Sequence, residues 1–346
     1  MSCAVCCSEW LLDSERTFLN HGSYGATPRI VLKEQDRWRE RMERSPNGFF
    51  ATELPGALRE AANTVAGFLG GCGKDLVFIE NATAGCNAVL NSLAFTSADE
   101  ILLTSHEYPA IRKAVAHVAA RSGARVVEAP VRFPTTSAAQ VIEAVGSRLG
   151  PRTRLAIFDH VTSPTAVIFP VGELVSLCHT AGARVLIDGA HAPGMLSLDV
   201  PSIGADWYVG NCHKWLMAPK GSAFIWAAPE QQAMLHPVVI SHGYGQGFTA
   251  EFDWIGTRDP SAWLAIPTAI RFHLRHGGAS LRERNVRLAR WAATLVAQIW
   301  RTERGSSDEL TGAMATVRLP LPERQRRRKP WNCVTGFCAP IGSKRQ

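Results

Sequence analysis

The sequence predicts an α/β fold: a seven-stranded, mostly parallel sheet with helices on both faces, followed by a smaller α+β lobe. Seven short apolar runs lie between Leu76 and Trp226, beginning near residues 76, 101, 125, 154, 184, 206 and 222. Helical segments separate most of them, and such alternation is the pattern of strands joined by crossovers. Two of the runs end in polar groups, Asp188 after Val185-Leu186-Ile187 and Asn211-Cys212-His213-Lys214 after Trp207-Tyr208-Val209. That delivers an acid and an amine to the sheet edge where open α/β sheets hold ligands.

The elements follow in order. Phe18 to Gly25 (FLNHGSYG), then Thr27-Pro28, reads as a loop leading into a helix near Arg29 that carries Ile30, Val31 and Trp38. From Pro55 to Leu69, Leu58, Ala61, Ala62, Val65, Ala66 and Leu69 share one helical face, and Gly70-Gly71-Cys72-Gly73 ends it. Leu76 to Ile79 is a buried strand. Glu80-Asn81-Ala82-Thr83-Ala84-Gly85 then opens a helix carrying Val89, Leu90 and Leu93. Strand, small-residue turn and helix start make an anion site, because free N–H groups and the helix dipole face outward there. Thr83 adds a hydroxyl, although Asn and Thr also cap ordinary helices.

Ile101 to Thr104 is the next strand, ending in Ser105-His106-Glu107-Tyr108-Pro109. Strands at Arg125 to Glu128 and Arg154 to Phe158 flank a helix near Ala138 to Leu149, and the second leads into Asp159 to Pro164. A helix over Val171 to Ala181 precedes the strand at Arg184 to Ile187, and Ser222 to Trp226 closes the set. The glycine-rich loop at His242 to Gly247 has no βαβ frame and is not a nucleotide motif. Helices at Ala262 to Leu274 and Leu281 to Trp300 and a strand at Met314 to Pro320 make the small lobe.

The chain of 346 residues is 46% hydrophobic and 19% charged, as suits a globular enzyme with a large core. It has no apolar run long enough to span a membrane, and MSCAVCCSEW is not a secretion signal, so a cytoplasmic location is expected. Of nine cysteines, Cys72, Cys86, Cys178 and Cys212 read as reduced thiols inside patterned segments. Cys3, Cys6 and Cys7 cluster without a second set at zinc-site spacing. The net charge of +7 sits in the tail: Arg318 to Gln346 holds eight basic residues and one acid, 8 − 1 = +7. The body is neutral, which argues against a nucleic-acid surface.

A lysine forms a Schiff base with an aldehyde, and a buried carboxylate holds a protonated pyridine nitrogen; together they describe pyridoxal phosphate. Either residue alone reads more plainly as a helix-capping acid or a surface lysine. The segments LIDGAHAPG and YVGNCHKWLMAPKGSAF, with NHGSYGATP near the N-terminus, resemble the fold-type I, class V aminotransferase family and its isopenicillin N epimerase-like branch. The resemblance covers Phe18 to Pro322 and implies an aspartate aminotransferase-like large domain with pyridoxal 5'-phosphate as cofactor.

By that resemblance Lys214 is the Schiff-base lysine and Asp188 the partner of the pyridine nitrogen. Ala82, Thr83 and Ala84 become the phosphate cradle. An aromatic ring lies on the pyridine face at His106 or Tyr108, with His106 preferred by register. Ser163 stands near the phenolic oxygen, where the family often carries Asn. His191 contacts the ring oxygen or a substrate carboxylate, or is a satisfied helix-start histidine. Asn211 and His213 are phosphate donors or orient the lysine. Gly256 and Thr257 reach the phosphate of a neighbouring subunit, which implies a homodimer with shared active sites. Asn20 and Ser23 contact an amino-acid-like substrate, and Arg258 grips its carboxylate or pairs with a neighbouring acid.

The expected organisation is an N-terminal segment at 1–28, a cofactor-binding large domain at 29–260, a partial small domain at 261–322 and an anomalous basic tail at 323–346. Relatives continue with a longer small domain, so this one reads as truncated. The expected activity is an epimerase, racemase or aminotransferase acting at Cα. The alternatives are a cysteine desulfurase or C–S lyase, for which Cys333 and Cys338 are the candidate thiols, and a cofactor-binding remnant with impaired catalysis.

Overall fold

In the computed structural model, which describes residues 7–321, the seven expected runs form one sheet: β1 (Leu76–Ile79), β2 (Glu100–Thr104), β3 (Arg125–Ala129), β4 (Thr153–Asp159), β5 (Arg184–Asp188), β6 (Trp207–Asn211) and β7 (Ala223–Ala227). The order across the sheet is β1-β7-β6-β5-β4-β2-β3. β2 to β6 pair in parallel, while β7 runs antiparallel to both β6 and β1. The strands are continuous apolar runs because parallel strands are covered on both faces. The exception is β3, an edge strand whose Arg125, Val126 and Glu128 are exposed; charge on an edge discourages pairing with another chain.

Alternation along each strand divides the core in two. Phe78, Leu102, Phe158, Ile187 and Tyr208 face one way, under the helices at Leu54–Phe68 and Val171–Thr180. Ile79, Leu103, Ile157, Leu186 and Val209 face the other, under the helices at Ala82–Ser92 and Pro109–Ser122. The Ala82–Ser92 helix sits hard on the sheet: a Cβ at Gly85 would come 2.5 Å from Ile79 Cδ1 and 2.8 Å from Val209 Cγ1. Its start is fixed by Asn81, whose side chain accepts from Ala84 N–H at 2.9 Å. Asn81→Ala is expected to cost about 1 kcal/mol of stability, read by urea denaturation.

Two expectations about the small lobe are corrected. The helix expected over Ala262 to Leu274 is broken into Ser261–Leu264 and Ile266–Arg275, because Pro267 occupies the first turn of the second piece. Trp263, Leu264, Ile266, Ala269 and Phe272 join the core beneath the sheet. The strand expected at Met314 to Pro320 does not form. No neighbouring strand among the described residues is there to pair with it, and an isolated bridge from Val317 to Arg304 and the Thr316 hydroxyl donating to Thr165 O at 3.0 Å hold it instead. Cys3, Cys6 and the basic tail at 323–346 lie outside the described residues, as do Cys333 and Cys338. Among the described residues no helix is long and apolar enough to cross a membrane.

Candidate active site

Because β2, β4, β5 and β6 are parallel, the loops that follow them open on one edge of the sheet. Asp188 ends β5, and Asp159, its register partner, ends β4. Lys214 lies three residues beyond β6, and Glu107 three beyond β2. Asp188 is 2% exposed and its Oδ1 accepts from Ala190 N–H at 2.9 Å. Burial raises its proton affinity, while this N–H and the Lys214 amine oppose that. The lysine is pulled the other way: burial lowers its pKa, and Asp188 and Asp159 partly restore it.

Lys214 Nζ lies 3.1 Å from His191 Nε2, and Trp215 Nε1–H donates to His191 Nδ1 at 3.4 Å. Burial and the neighbouring amine keep His191 neutral. A neutral imidazole that accepts at Nδ1 carries its proton on Nε2, and so meets the lysine by donating to an unprotonated amine. Trp215→Phe removes the donor and lets Nε2 become the acceptor for an ammonium. The lysine pKa is then expected to rise, and the rate of cofactor association to reach its plateau at a higher pH. An unshifted rate profile would show that the indole has no part in setting the amine.

At the start of the Ala82–Ser92 helix, Ala82 N–H is taken by Asn211 Oδ1 at 2.9 Å and Ala84 N–H by Asn81. The expected cradle therefore narrows to the half-buried Thr83, with Ala82 and Ala84 serving as its frame. Asn211 ties β6 to that frame instead of facing an anion itself. His213 Nδ1 donates to Ser222 O at 2.9 Å, which leaves Nε2 free to turn to a ligand. The N-terminal loop lies across the lysine segment: Gly25 N–H donates to His213 O at 3.1 Å, and a Cβ at Gly22 would come 2.8 Å from Met314 Sδ and 3.5 Å from His191 Cε1.

Several expected site residues are engaged elsewhere. His106 is a core histidine: Nδ1 meets Thr165 Oγ1 at 2.8 Å, Nε2 meets Val131 O at 3.3 Å, and its ring packs on Phe133 and Phe169. Its imidazole is held down to about 4 by burial. Tyr108, two residues on and 38% exposed, is the ring left at the mouth of the loop. Arg258 is paired with Glu80 through Nη1 and stacked on Trp263, 4.1 Å from the ring centroid, while its buried Nη2 has no hydrogen-bond partner among the described residues. Asn20 and Ser23 satisfy one another, through Nδ2 to Oγ at 2.7 Å and N–H to Oδ1 at 3.0 Å. Ser163 is half-buried in the loop after β4, and Gly256 and Thr257 lie on a surface loop.

A family model for class-V aminotransferases matches residues 32–320. The chain belongs to the class-V aminotransferase family. A putative L-cysteine desulfhydrase 1 of Oryza sativa subsp. japonica is 36% identical over 321 residues, covering 87% of this chain and 67% of the relative. An isopenicillin N epimerase of Streptomyces clavuligerus is 35% identical over 330 residues, covering 90% of this chain and 82% of the relative. Among solved structures, the cystine C–S lyase C-DES, in complex with its product cysteine persulfide, superposes with a TM-score of 0.70 at 25% identity, covering 79% of this chain and 76% of that one.

The family is pyridoxal-phosphate-dependent, and the residues present fit that cofactor. An amine for the aldehyde stands at the same edge as a carboxylate for the ring nitrogen, with a hydroxyl, that of Thr83, at the helix N-terminus after β1 that Asn211 ties to β6. The buried oxygens Glu107 Oε2 and Asp159 Oδ2, beside Asp188, have no hydrogen-bond partner among the described residues, so this polar edge is not satisfied by the protein's own groups. Sequence reasoning missed Glu107, Asp159, Trp215 and Met314 as site residues. The available signal was an acid ending each of two consecutive strand runs, β4 and β5.

Proposed function

We propose that this enzyme removes the Cα proton of an amino-acid-like substrate with Lys214 as the base, and that epimerisation is the outcome, with transamination as its close variant. The supporting observation is the part-buried Lys214–His191–Trp215 chain at the same edge as Asp188. Lys214 would hold the cofactor aldehyde, Asp188 the ring nitrogen, Thr83 and His213 the phosphate, and Tyr108 one ring face. Ser163 and His191 would lie near the phenolic oxygen. When bound, the cofactor supplies a conjugated ring that takes up the electrons released at Cα. Asp188 keeps the ring nitrogen protonated, and His191 keeps the amine in its basic form. The N-terminal loop over Asn20 to Gly25 shields the lysine segment from water.

Elimination of a β-thiol from cysteine is the second reading, favoured by the similarity to the rice desulfhydrase. A persulfide route through a cysteine has little support among the described residues: Cys86 and Cys212 are buried with their thiols pushed up, and Cys72 lies before β1, at the opposite end of the sheet from Lys214. Incubation with candidate amino acids in deuterium oxide separates the readings. Deuterium at Cα of recovered substrate of both hands supports epimerisation; sulfide with loss of the amino acid supports elimination; neither outcome with any amino acid overturns the proposal.

A homodimer is part of the same reading. The consecutive apolar residues Val238, Val239 and Ile240, 57%, 51% and 55% exposed, suit burial against a second copy, and Gly256 and Thr257 would then face its phosphate. Sedimentation velocity tests this. A cytoplasmic location belongs to the proposal too and is consistent with four unpaired thiols.

A further inference from the structure

Three carboxyl groups meet at the cofactor edge where the chemistry needs one. Glu107, Asp159 and Asp188 are 3%, 2% and 2% exposed, and one ligand oxygen from each lies within 4.8 Å of the others. The surroundings do not neutralise three charges. Lys214, from the segment after β6, faces Asp188 and Asp159 and, even if protonated, would balance only one. Arg112, on the Pro109–Ser122 helix, faces Glu107, but its guanidinium is bonded to Glu128 and to Thr104 O. Tyr208 from β6 and Cys86 from the Ala82–Ser92 helix present groups that burial keeps neutral, and His191 beside Lys214 is neutral as well.

We infer that Glu107 and Asp159 are positioning residues that hold protons beside Asp188, so that the cluster carries one negative charge, on Asp188, aimed at the ring nitrogen. Only the purpose of that charge rests on the cofactor reading. Asp188 Oδ1 accepts Ala190 N–H and Glu107 Oε1 accepts Tyr108 N–H, and what sets Glu107 and Asp159 apart is a second, buried oxygen on each, Oε2 and Oδ2, with no partner among the described residues. A proton on each of those oxygens changes an unpaired acceptor into a donor with carboxylate oxygens close by. Burial pushes the proton affinity of all three upward, and like charges so near one another push it further.

The test is the pH dependence of stability of the full chain, measured after cofactor removal, against Glu107→Gln and Asp159→Asn. A buried acid with a raised proton affinity contributes stability that is fully present below the ordinary carboxylate range and is lost as pH rises toward its folded value. Each held proton lowers the folding constant about tenfold per pH unit within that window. Each variant is expected to flatten that fall by one such factor at pH values above the ordinary carboxylate range, and to gain on the parent as pH rises. Parallel profiles would overturn the inference, since a merely structural lesion lowers stability equally at every pH.

Should a variant not fold, infrared spectra of the unmodified chain decide. At about pH 8, above the value of about 6 to which burial raises Asp253, a protonated-carboxyl carbonyl stretch is expected, and its absence would overturn the inference. Neither measurement involves the cofactor. A chain that passes both yet never binds pyridoxal phosphate keeps the proton cluster and loses the proposed function.

Discussion

Lys214→Ala is expected to abolish the visible absorption of the purified protein and to lower turnover by at least about a thousandfold. Among the described residues it is the one amine at the edge that also holds Asp188, with His191 Nε2 3.1 Å from its Nζ. No neighbour can substitute: Lys220 lies against Thr27, its Nζ 3.3 Å from the hydroxyl, and Arg258 is bound to Glu80. Far-ultraviolet circular dichroism should stay unchanged, because β6 and β7 flank the loop without using the side chain. Added methylamine is expected to restore part of the turnover, since it returns the missing amine and cannot repair a packing defect. A variant that keeps both colour and turnover removes Lys214 from the chemistry.

Gly25→Ala should have a large effect on both stability and substrate binding. The added methyl would stand 2.3 Å from Lys214 O and 2.4 Å from His213 O. Both are backbone atoms, so no side-chain rotation relieves the contact, and the loop must lift with loss of the Gly25 N–H bond to His213 O. Overpacking of this kind costs about 1–3 kcal/mol. The expected result is a lowered denaturation midpoint together with, if the loop covers the substrate side as proposed, a KM that rises more than the dissociation constant of the cofactor. Wild-type stability and KM would show that the loop does not close over that edge.

The strands were legible because each is a short buried run between turn signals, and β1 has the expected limits. The edge character of β3 was not, since position in a sheet is a tertiary property. Pro267 was a visible breaker inside an otherwise helical pattern, and its effect on the 262–274 helix follows from its missing N–H. The 314–320 segment has strand-like residues but no partner strand, and propensity without a partner does not make a sheet.

At the site, the acid and the amine were readable because each follows a strand run. His106 and Tyr108 were not separable, because loop geometry alone decides which of two nearby rings turns inward to Thr165 and Val131. Arg258 was open between two partners, and the nearby Glu80 decides it. The proximity of Glu107 and Asp159 to Asp188 depends on the register of β4 against β5 and on the path of the chain after β2. No local pattern reports that.

The pairing of β1 with β7 joins Leu76 to Trp226, and Asn211 clasps the helix start at Ala82. The turn at Ala82 thus emerges from the ribosome early, yet its scaffold is completed some 150 residues later, by about the length of a small domain. A nascent chain stalled before Trp226 would therefore lack both the strand that pairs with β1 and a complete sheet edge.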